Sequence, residues 1–191
     1  MTPRRLRLLA IVAPLAAAAL GLLAWTQVWV VLDLGGGLTV DARGETAANT
    51  VPALALALLA LTAALALVGR TPRILLGIVQ LGLGVGIIAA SAAVLADPVG
   101  RGGPAVTGVT GVDGDAGIAA LVVASSVSGW VTLALVAGAL AALSGVVTAV
   151  TAHRWPERVR RYDTPDGSGA SRADRLGDWD ALSDGDDPTA R

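Results

Sequence analysis

Residues 74–96 read ILLGIVQLGLGVGIIAASAAVLA, an apolar run without a charged residue. At about 1.5 Å of rise per residue, a helix of about 23 residues crosses a hydrocarbon core of about 30 Å. Three similar uncharged runs occupy residues 8–25, 51–69 and 130–152. The sequence therefore predicts an all-α integral membrane protein with four transmembrane helices.

The composition supports a bilayer as the solvent of this chain. Hydrophobic residues make up 54% of it and the mean hydropathy is +0.67, values too high for an ordinary soluble domain. The net charge of −1 hides the fact that most charges lie outside the apolar runs. The chain contains no cysteine, which excludes disulfides, a thiolate nucleophile and thiol metal ligands.

The first apolar run leaves a second interpretation open. Arg4, Arg5 and Arg7 precede it, as basic residues precede the core of a secretory signal peptide. The run is longer than the usual signal core of about 7–15 residues, however, and it ends at interfacial-type aromatic residues. We therefore expect a retained helix, slightly kinked at Pro14 because proline removes one backbone donor.

Arginine in the short flanking segments predicts the orientation of the helices. Nine arginines lie on one side and two on the other: Arg4, Arg5, Arg7, Arg70, Arg73, Arg154, Arg158, Arg160 and Arg161 against Arg43 and Arg101. Because cytoplasmic loops carry the excess of basic residues, both termini are expected in the cytoplasm of a multi-pass plasma-membrane protein. The N-terminus at 1–7, a tight turn at 70–73 and the segment 153–191 would then be cytoplasmic, and 26–50 and 97–129 extracytoplasmic.

Tryptophan placement agrees with that orientation. An indole ring combines an apolar body with a polar N–H, so it favours the headgroup level of a bilayer. Four tryptophans lie near the ends of the predicted spans and are expected to act as interfacial anchors: Trp25, Trp29, Trp130 and Trp155.

The two extracytoplasmic segments differ in predicted structure. In 26–50, β-rich sequence flanks Gly35, Gly36 and Gly37, which predicts a small β-hairpin because glycine permits a turn with positive φ. Segment 97–129 begins rich in glycine and proline and ends in an apolar stretch at 118–124 that is too short to span. That stretch is expected either as a strand beside the hairpin or as an extension of the fourth helix.

Small residues and one amide predict how the spans pack. Gly82 and Gly86 form a GxxxG pair, and the fourth span offers a matching small-residue face at Gly138. Such pairs favour close helix contact within one chain, and dimerisation is the alternative. Gln80 is the one amide within a span, and we expect it to bond to a carbonyl or a hydroxyl such as Thr62, Ser144 or Thr148, rather than to line a substrate path.

Nothing in the residue pattern predicts a reaction. No ionisable residue lies in the middle of a span, where coupled transporters generally place them, and the sole histidine, His153, lies at a predicted boundary. No phosphate-binding GK[ST] motif occurs. The sequence thus predicts a protein that is not an enzyme, with no catalytic, cofactor-binding or metal-binding residues.

The C-terminal segment combines a basic part with an acidic one. Residues 154–162 carry four arginines, which favour anchoring on anionic headgroups; nucleic-acid binding is disfavoured because the acidic residues that follow would repel phosphate. Beyond Tyr162 the composition predicts disorder. One helical turn there would place Trp179 and Leu182 on the same side, a feature that could bind a cytoplasmic protein, although a solvated tail is the alternative.

The tail also carries a family resemblance. Arg154-Trp155-Pro156, Arg161-Tyr162-Asp163 and Trp179-Asp180-Ala181-Leu182, followed by Gly185-Asp186-Asp187-Pro188-Thr189, resemble the actinobacterial tryptophan-associated transmembrane family, whose pattern reads WDALDRGEDPT. Ser183 and Asp184 replace the Asp-Arg pair of that pattern, and Asp186 replaces its Glu. The resemblance implies an association with tryptophan biosynthesis, and it identifies candidate partner-docking residues: Trp179, Leu182, Asp187 and Pro188.

Two functions follow as hypotheses. The first is a non-enzymatic scaffold or accessory protein in the lipid bilayer, with a cytoplasmic protein partner bound through the tail and no nucleic-acid partner. The second is a permease, or a transporter accessory, for tryptophan or a related metabolite, because Gln80 is polar and lies in a glycine-rich helix. The sequence alone predicts neither the substrate nor the oligomeric state.

Overall fold

The computed structural model describes residues 3–67 and 70–151. Seven helices and three strands occupy these ranges. In chain order they are α1 Pro3–Trp25, β1 Val28–Asp33, β2 Thr39–Arg43, α2 Gly44–Ala47, α3 Val51–Leu67, α4 Arg70–Ala96, α5 Pro98–Thr110, α6 Asp115–Leu121, β3 Ala124–Val127 and α7 Gly129–Thr151.

Three helices in the described ranges are long and apolar enough to cross a membrane. The qualifying segments are Leu8–Trp25 of α1, Pro72–Ala96 of α4 and all of α7. Helix α3, which corresponds to the predicted span 51–69, is apolar but has only 17 residues. The structure therefore gives three candidate spans and one shorter apolar helix, where the sequence predicted four spans.

The outward faces of these helices are apolar. Leu75 of α4 is 64% exposed and Leu143 of α7 is 65% exposed. Burying one leucine side chain is worth about 1.5–3 kcal/mol relative to water, so a face of this kind requires an apolar solvent. The bundle is thus that of a membrane protein.

The three candidate spans and the shorter helix α3 form a ring in which each helix contacts two others. Helix α1 packs against α3 and α7, and α4 packs against α3 and α7, with the α4–α7 pair the most extensive. A central layer contains Ala17 and Ala18 of α1, Leu58 of α3 and Ala141 of α7. The small side chains of α1 and α7 therefore allow these two backbones to approach closely in this layer.

The expected tight turn at 70–73 is wrong, because these residues form the first turn of α4. Proline often marks a turn, but Pro72 lies in the first turn of α4. Its missing N–H costs nothing there, because the first four N–H groups of a helix have no intrahelical partner. The connection between α3 and α4 is consequently no longer than residues 68 and 69, which lie outside the described ranges.

The predicted hairpin is present. Strands β1 and β2 pair antiparallel from Val28↔Arg43 to Asp33↔Thr39, with a register shift between Val28 and Val30. Gly35, Gly36 and Gly37 have φ values of 79°, 64° and 85°, a conformation that L side chains rarely adopt. The hairpin depends on this glycine run, as the sequence predicted.

The second connecting segment is more ordered than the sequence suggested. Residues 98–110 form α5, which Asp97 caps by accepting the N–H of Gly100 at 2.9 Å. The stretch at 118–124 is neither a strand throughout nor part of the last span, because α6 ends at Leu121 and α7 begins at Gly129. The strand lies later, at Ala124–Val127.

Strand β3 joins the two connecting segments into one sheet of order β2-β1-β3. It pairs antiparallel with β1 from Val30↔Val127 to Asp33↔Ala124. Helix α5 packs on this sheet, and a Cβ placed on Gly102 would lie 2.8 Å from Leu32 Cδ1. Two segments that α3 and α4 separate in the sequence therefore form one small α/β unit, called here the connecting module (residues 26–50 and 97–128).

Candidate functional site

The closest helix contact in the described bundle is the seam between α4 and α7. On α4 the buried residues recur at alternating steps of three and four, a spacing that keeps one face on a partner helix: Gly77, Gln80, Gly84, Ile87, Ser91 and Val94. A Cβ placed on Gly84 would lie 2.7 Å from the Gly138 carbonyl oxygen, and one on Gly145 would lie 2.8 Å from the Gly77 carbonyl oxygen. The two helices are antiparallel and in backbone contact.

On the α4 side, this seam uses different glycines from those predicted. A Cβ on Gly82 would meet nothing within 4 Å, and one on Gly86 would meet Leu54 of α3 at 3.1 Å. The predicted pair is therefore not the α4–α7 contact, because residues 82 and 86 lie beside the buried stripe rather than on it. Gly138 does lie in the seam, on the α7 side. The three–four spacing of Gly77, Gln80 and Gly84 was the sequence signal that could have identified the correct face.

Gln80 lies at the middle of the seam and is fully buried. Its Nε2 donates to Ser144 Oγ at 2.5 Å and to the Ala141 carbonyl at 3.5 Å, both on α7. Ser144 in turn donates to the Ala141 carbonyl at 2.9 Å. The structure thus pairs Gln80 across helices with one of the three hydroxyls named from the sequence.

The amide is only partly satisfied. Oε1 of Gln80 accepts no hydrogen bond from the described residues. Oγ of Ser91, which is buried on the same helix, has no hydrogen-bond partner among them either. Thr62 and Thr148, the other two candidate partners, donate to carbonyls of their own helices, Leu58 and Ser144. A buried amide oxygen without a donor costs about 1–3 kcal/mol, so the position of Gln80 carries an energetic cost for the bundle.

The tryptophans do not share one role. Trp29 is 0% exposed and its Nε1 donates to the Ala24 carbonyl at 2.6 Å, so it is a core residue of the connecting module rather than an interfacial anchor. The prediction failed for Trp29 because β1 turns this side chain inward, onto a core that the sequence did not reveal. Trp25 is partly buried and Trp130 is 37% exposed, a position compatible with an interface.

At least one carboxylate of the connecting module has a structural role. Asp33 Oδ1 accepts the N–H of Gly35 at 2.8 Å and so stabilises the hairpin turn. No group of three or more His, Asp or Glu side chains able to hold a metal occurs in residues 3–67 and 70–151. Two open grooves of about 280 and 440 Å³ run beside α5 and α6, lined in part by Asp97, Arg101 and Asp115.

Several predicted residues lie outside the described ranges. These are the anchor Trp155, the boundary residue His153 and the four candidate docking residues Trp179, Leu182, Asp187 and Pro188. The connecting module, conversely, was largely missed from the sequence. Its signals were the Asp97-Pro98 helix start and the β-type residues at 124–127.

A ring of apolar helices with lipid-type outer faces and a single internal amide places the chain among the helical integral membrane proteins. The chain belongs to the tryptophan-associated transmembrane protein family, whose sequence profile matches residues 7–189. No match was found among curated proteins or among solved structures. The family match begins within α1, at residue 7, and extends through the tail that carried the resemblance.

Proposed function

We propose that this chain is a non-enzymatic membrane scaffold or accessory protein associated with tryptophan biosynthesis. The observation that carries the proposal is the α4–α7 seam, where glycine backbones touch and leave no passage between the two helices. A further support is the connecting module, in which one sheet ties both connecting segments together. Such a protein presents fixed surfaces to partners.

We also propose that α3 is the fourth span. Its 17 residues carry no charge and would reach about 25 Å at about 1.5 Å per residue, close to the hydrocarbon thickness. Val51, at its start, packs in the core of the connecting module, and its end lies at most two residues from α4. The return of α4 to the same module at Val94 supports a course of α3 along the length of the bundle.

The arginine distribution supports a plasma-membrane orientation with both termini in the cytoplasm and the connecting module outside. In that orientation the C-terminal tail is available to cytoplasmic proteins. The apolar pair Trp179 and Leu182, within an acidic segment, is the proposed docking element, together with Asp187 and Pro188.

The test is affinity capture of the full chain from native membranes. We expect recovery of at least one enzyme of tryptophan biosynthesis, and loss of that enzyme with the Trp179→Ala, Leu182→Ala variant. Ser183→Ala, a change at the residue after Leu182, is the matched control and should retain it. Equal recovery by all three chains would refute docking through the tail.

A permease or transporter accessory for tryptophan or a related metabolite is the second candidate. The unpartnered Oε1 of Gln80 and Oγ of Ser91 favour it, because polar groups inside a bundle can contact a polar solute. Uptake and efflux of labelled tryptophan should then fall on deletion of the chain. Unchanged fluxes in both directions would count against this function.

A further inference from the structure

A polar layer crosses the bundle at the height of Gln80. A Cβ placed on Gly21 of α1 would lie 3.9 Å from Ala55 Cβ of α3, and Ala17 and Ala18 cluster with Leu58. One turn further along this antiparallel pair, the buried Pro14 and the buried Thr62 come to the same height.

The same height on the other two helices is that of Gln80 and Ser144. Leu54 of α3 contacts Gly86 of α4, and Leu58 clusters with Leu83, so Thr62 lies at the level of Gln80. Gln80 is itself bonded to Ser144 of α7. All four long helices therefore contribute a polar or backbone-disrupting residue to one layer.

This layer contains more acceptors than donors. Gln80 Oε1 is buried without a donor among the described residues. Pro14 has no N–H, so the carbonyl of Ala10, four residues earlier on α1, loses its normal helical donor. Thr62 Oγ1 uses its proton on the Leu58 carbonyl and retains free lone pairs.

The group that would satisfy this layer is a small, neutral donor of two protons. A cation is disfavoured because no carboxylate lies at this height among the described residues to balance its charge. The α4–α7 seam is too close to admit a molecule, so a group that reaches Gln80 Oε1 has to approach it from outside that seam. We propose that this layer is an internal water-binding site, in which water donates to Gln80 Oε1 and to the Ala10 carbonyl.

The proposal goes beyond the scaffold function and does not depend on it. A water held here satisfies backbone and amide groups that lipid cannot satisfy, which explains how a proline and a glutamine are tolerated at one level of an apolar bundle.

The chain offers an unusually direct test, because Gln27 and Gln80 are its only glutamines. Full-length protein labelled with ¹⁵N in the glutamine side chains should give two amide signals in membranes by solid-state NMR. Gln27 Nε2, which donates to Thr26 Oγ1 in an exposed bond, is the internal hydrated reference. Gln27→Asn removes that signal and so assigns the other to Gln80.

We expect magnetisation transferred from water to reach the Gln80 amide as it reaches Gln27. A Gln80 signal that receives none while Gln27 is saturated would overturn the proposal. Pro14→Ala returns a donor to the Ala10 carbonyl and favours the helix, so the protein should fold while the transfer to Gln80 is lost. Transfer that persists in Pro14→Ala would overturn the bridging arrangement.

Discussion

Gly84 of α4 and Gly138 of α7 are in backbone contact, so that a Cβ on Gly84 would lie 2.7 Å from the Gly138 carbonyl oxygen and closer still to the Ala142 nitrogen. In a bilayer, helices gain little from the hydrophobic effect when they associate, because lipid is as apolar as their side chains. Close packing of this kind is therefore a main source of stability for the bundle.

Adding one methyl group to α4 should show which of its two glycine faces packs against α7. Gly84→Ala is expected to lower the free energy of unfolding by about 1–3 kcal/mol, because the backbone it meets cannot move aside. Gly82→Ala is the matched control; its Cβ meets nothing within 4 Å, so stability should be unchanged or slightly raised. Thermal unfolding in detergent measures both, and equal losses would contradict the assigned seam.

Trp29 should be the tryptophan on which folding of the connecting module depends. Trp29→Ala removes a fully buried ring and its bond to Ala24, and a loss of about 3–5 kcal/mol is expected. Trp130→Ala, at a ring that is 37% exposed, should cost about 1 kcal/mol or less. Chemical unfolding of the two variants gives the comparison, and a greater loss for Trp130→Ala would show that Trp29 is not the core residue.

Pairing of β1 with β3 can be tested by crosslinking, since the chain has no cysteine. Val31 and Ser126 are Cα partners, and facing residues of antiparallel strands lie about 4.5–5.5 Å apart, within reach of a disulfide. Val31→Cys with Ser126→Cys should therefore oxidise to an internal disulfide. Val31→Cys with Ser125→Cys should not, because adjacent residues of a strand point to opposite faces. A gel shift after oxidation distinguishes the pairs.

The orientation proposed for the bundle predicts which sites are reached from outside the cell. Leu38, in the hairpin turn, is 50% exposed, so Leu38→Cys should react with a membrane-impermeant maleimide on intact cells. Ser183→Cys, in the tail, should react only after the membrane is opened. The reverse pattern would place the connecting module in the cytoplasm, contrary to the arginine distribution.

The amino-acid sequence by itself determined the class of protein and its apolar helices. Long uncharged runs specify helices in lipid, because every backbone group has to be bonded within its own segment there. The turn at Gly35–Gly37 could also be predicted from the sequence, because the ability to adopt a positive φ belongs to the individual residue. Family membership likewise came from residues adjacent in the chain.

Only the tertiary structure decided which face of each element is buried. Gly82 and Gly84 are the same residue type in the same helix. The rotation of α4 about its axis places only Gly84 against the backbone of α7. The sequence predicted Trp29 at the membrane interface, whereas the structure buries it. The sheet of the connecting module is completed by β3, about 100 residues later in the chain. The hydrogen bond from Gln80 to Ser144 is a long-range contact of the same kind. Local sequence does not encode such contacts, because they depend on how separate elements meet in space.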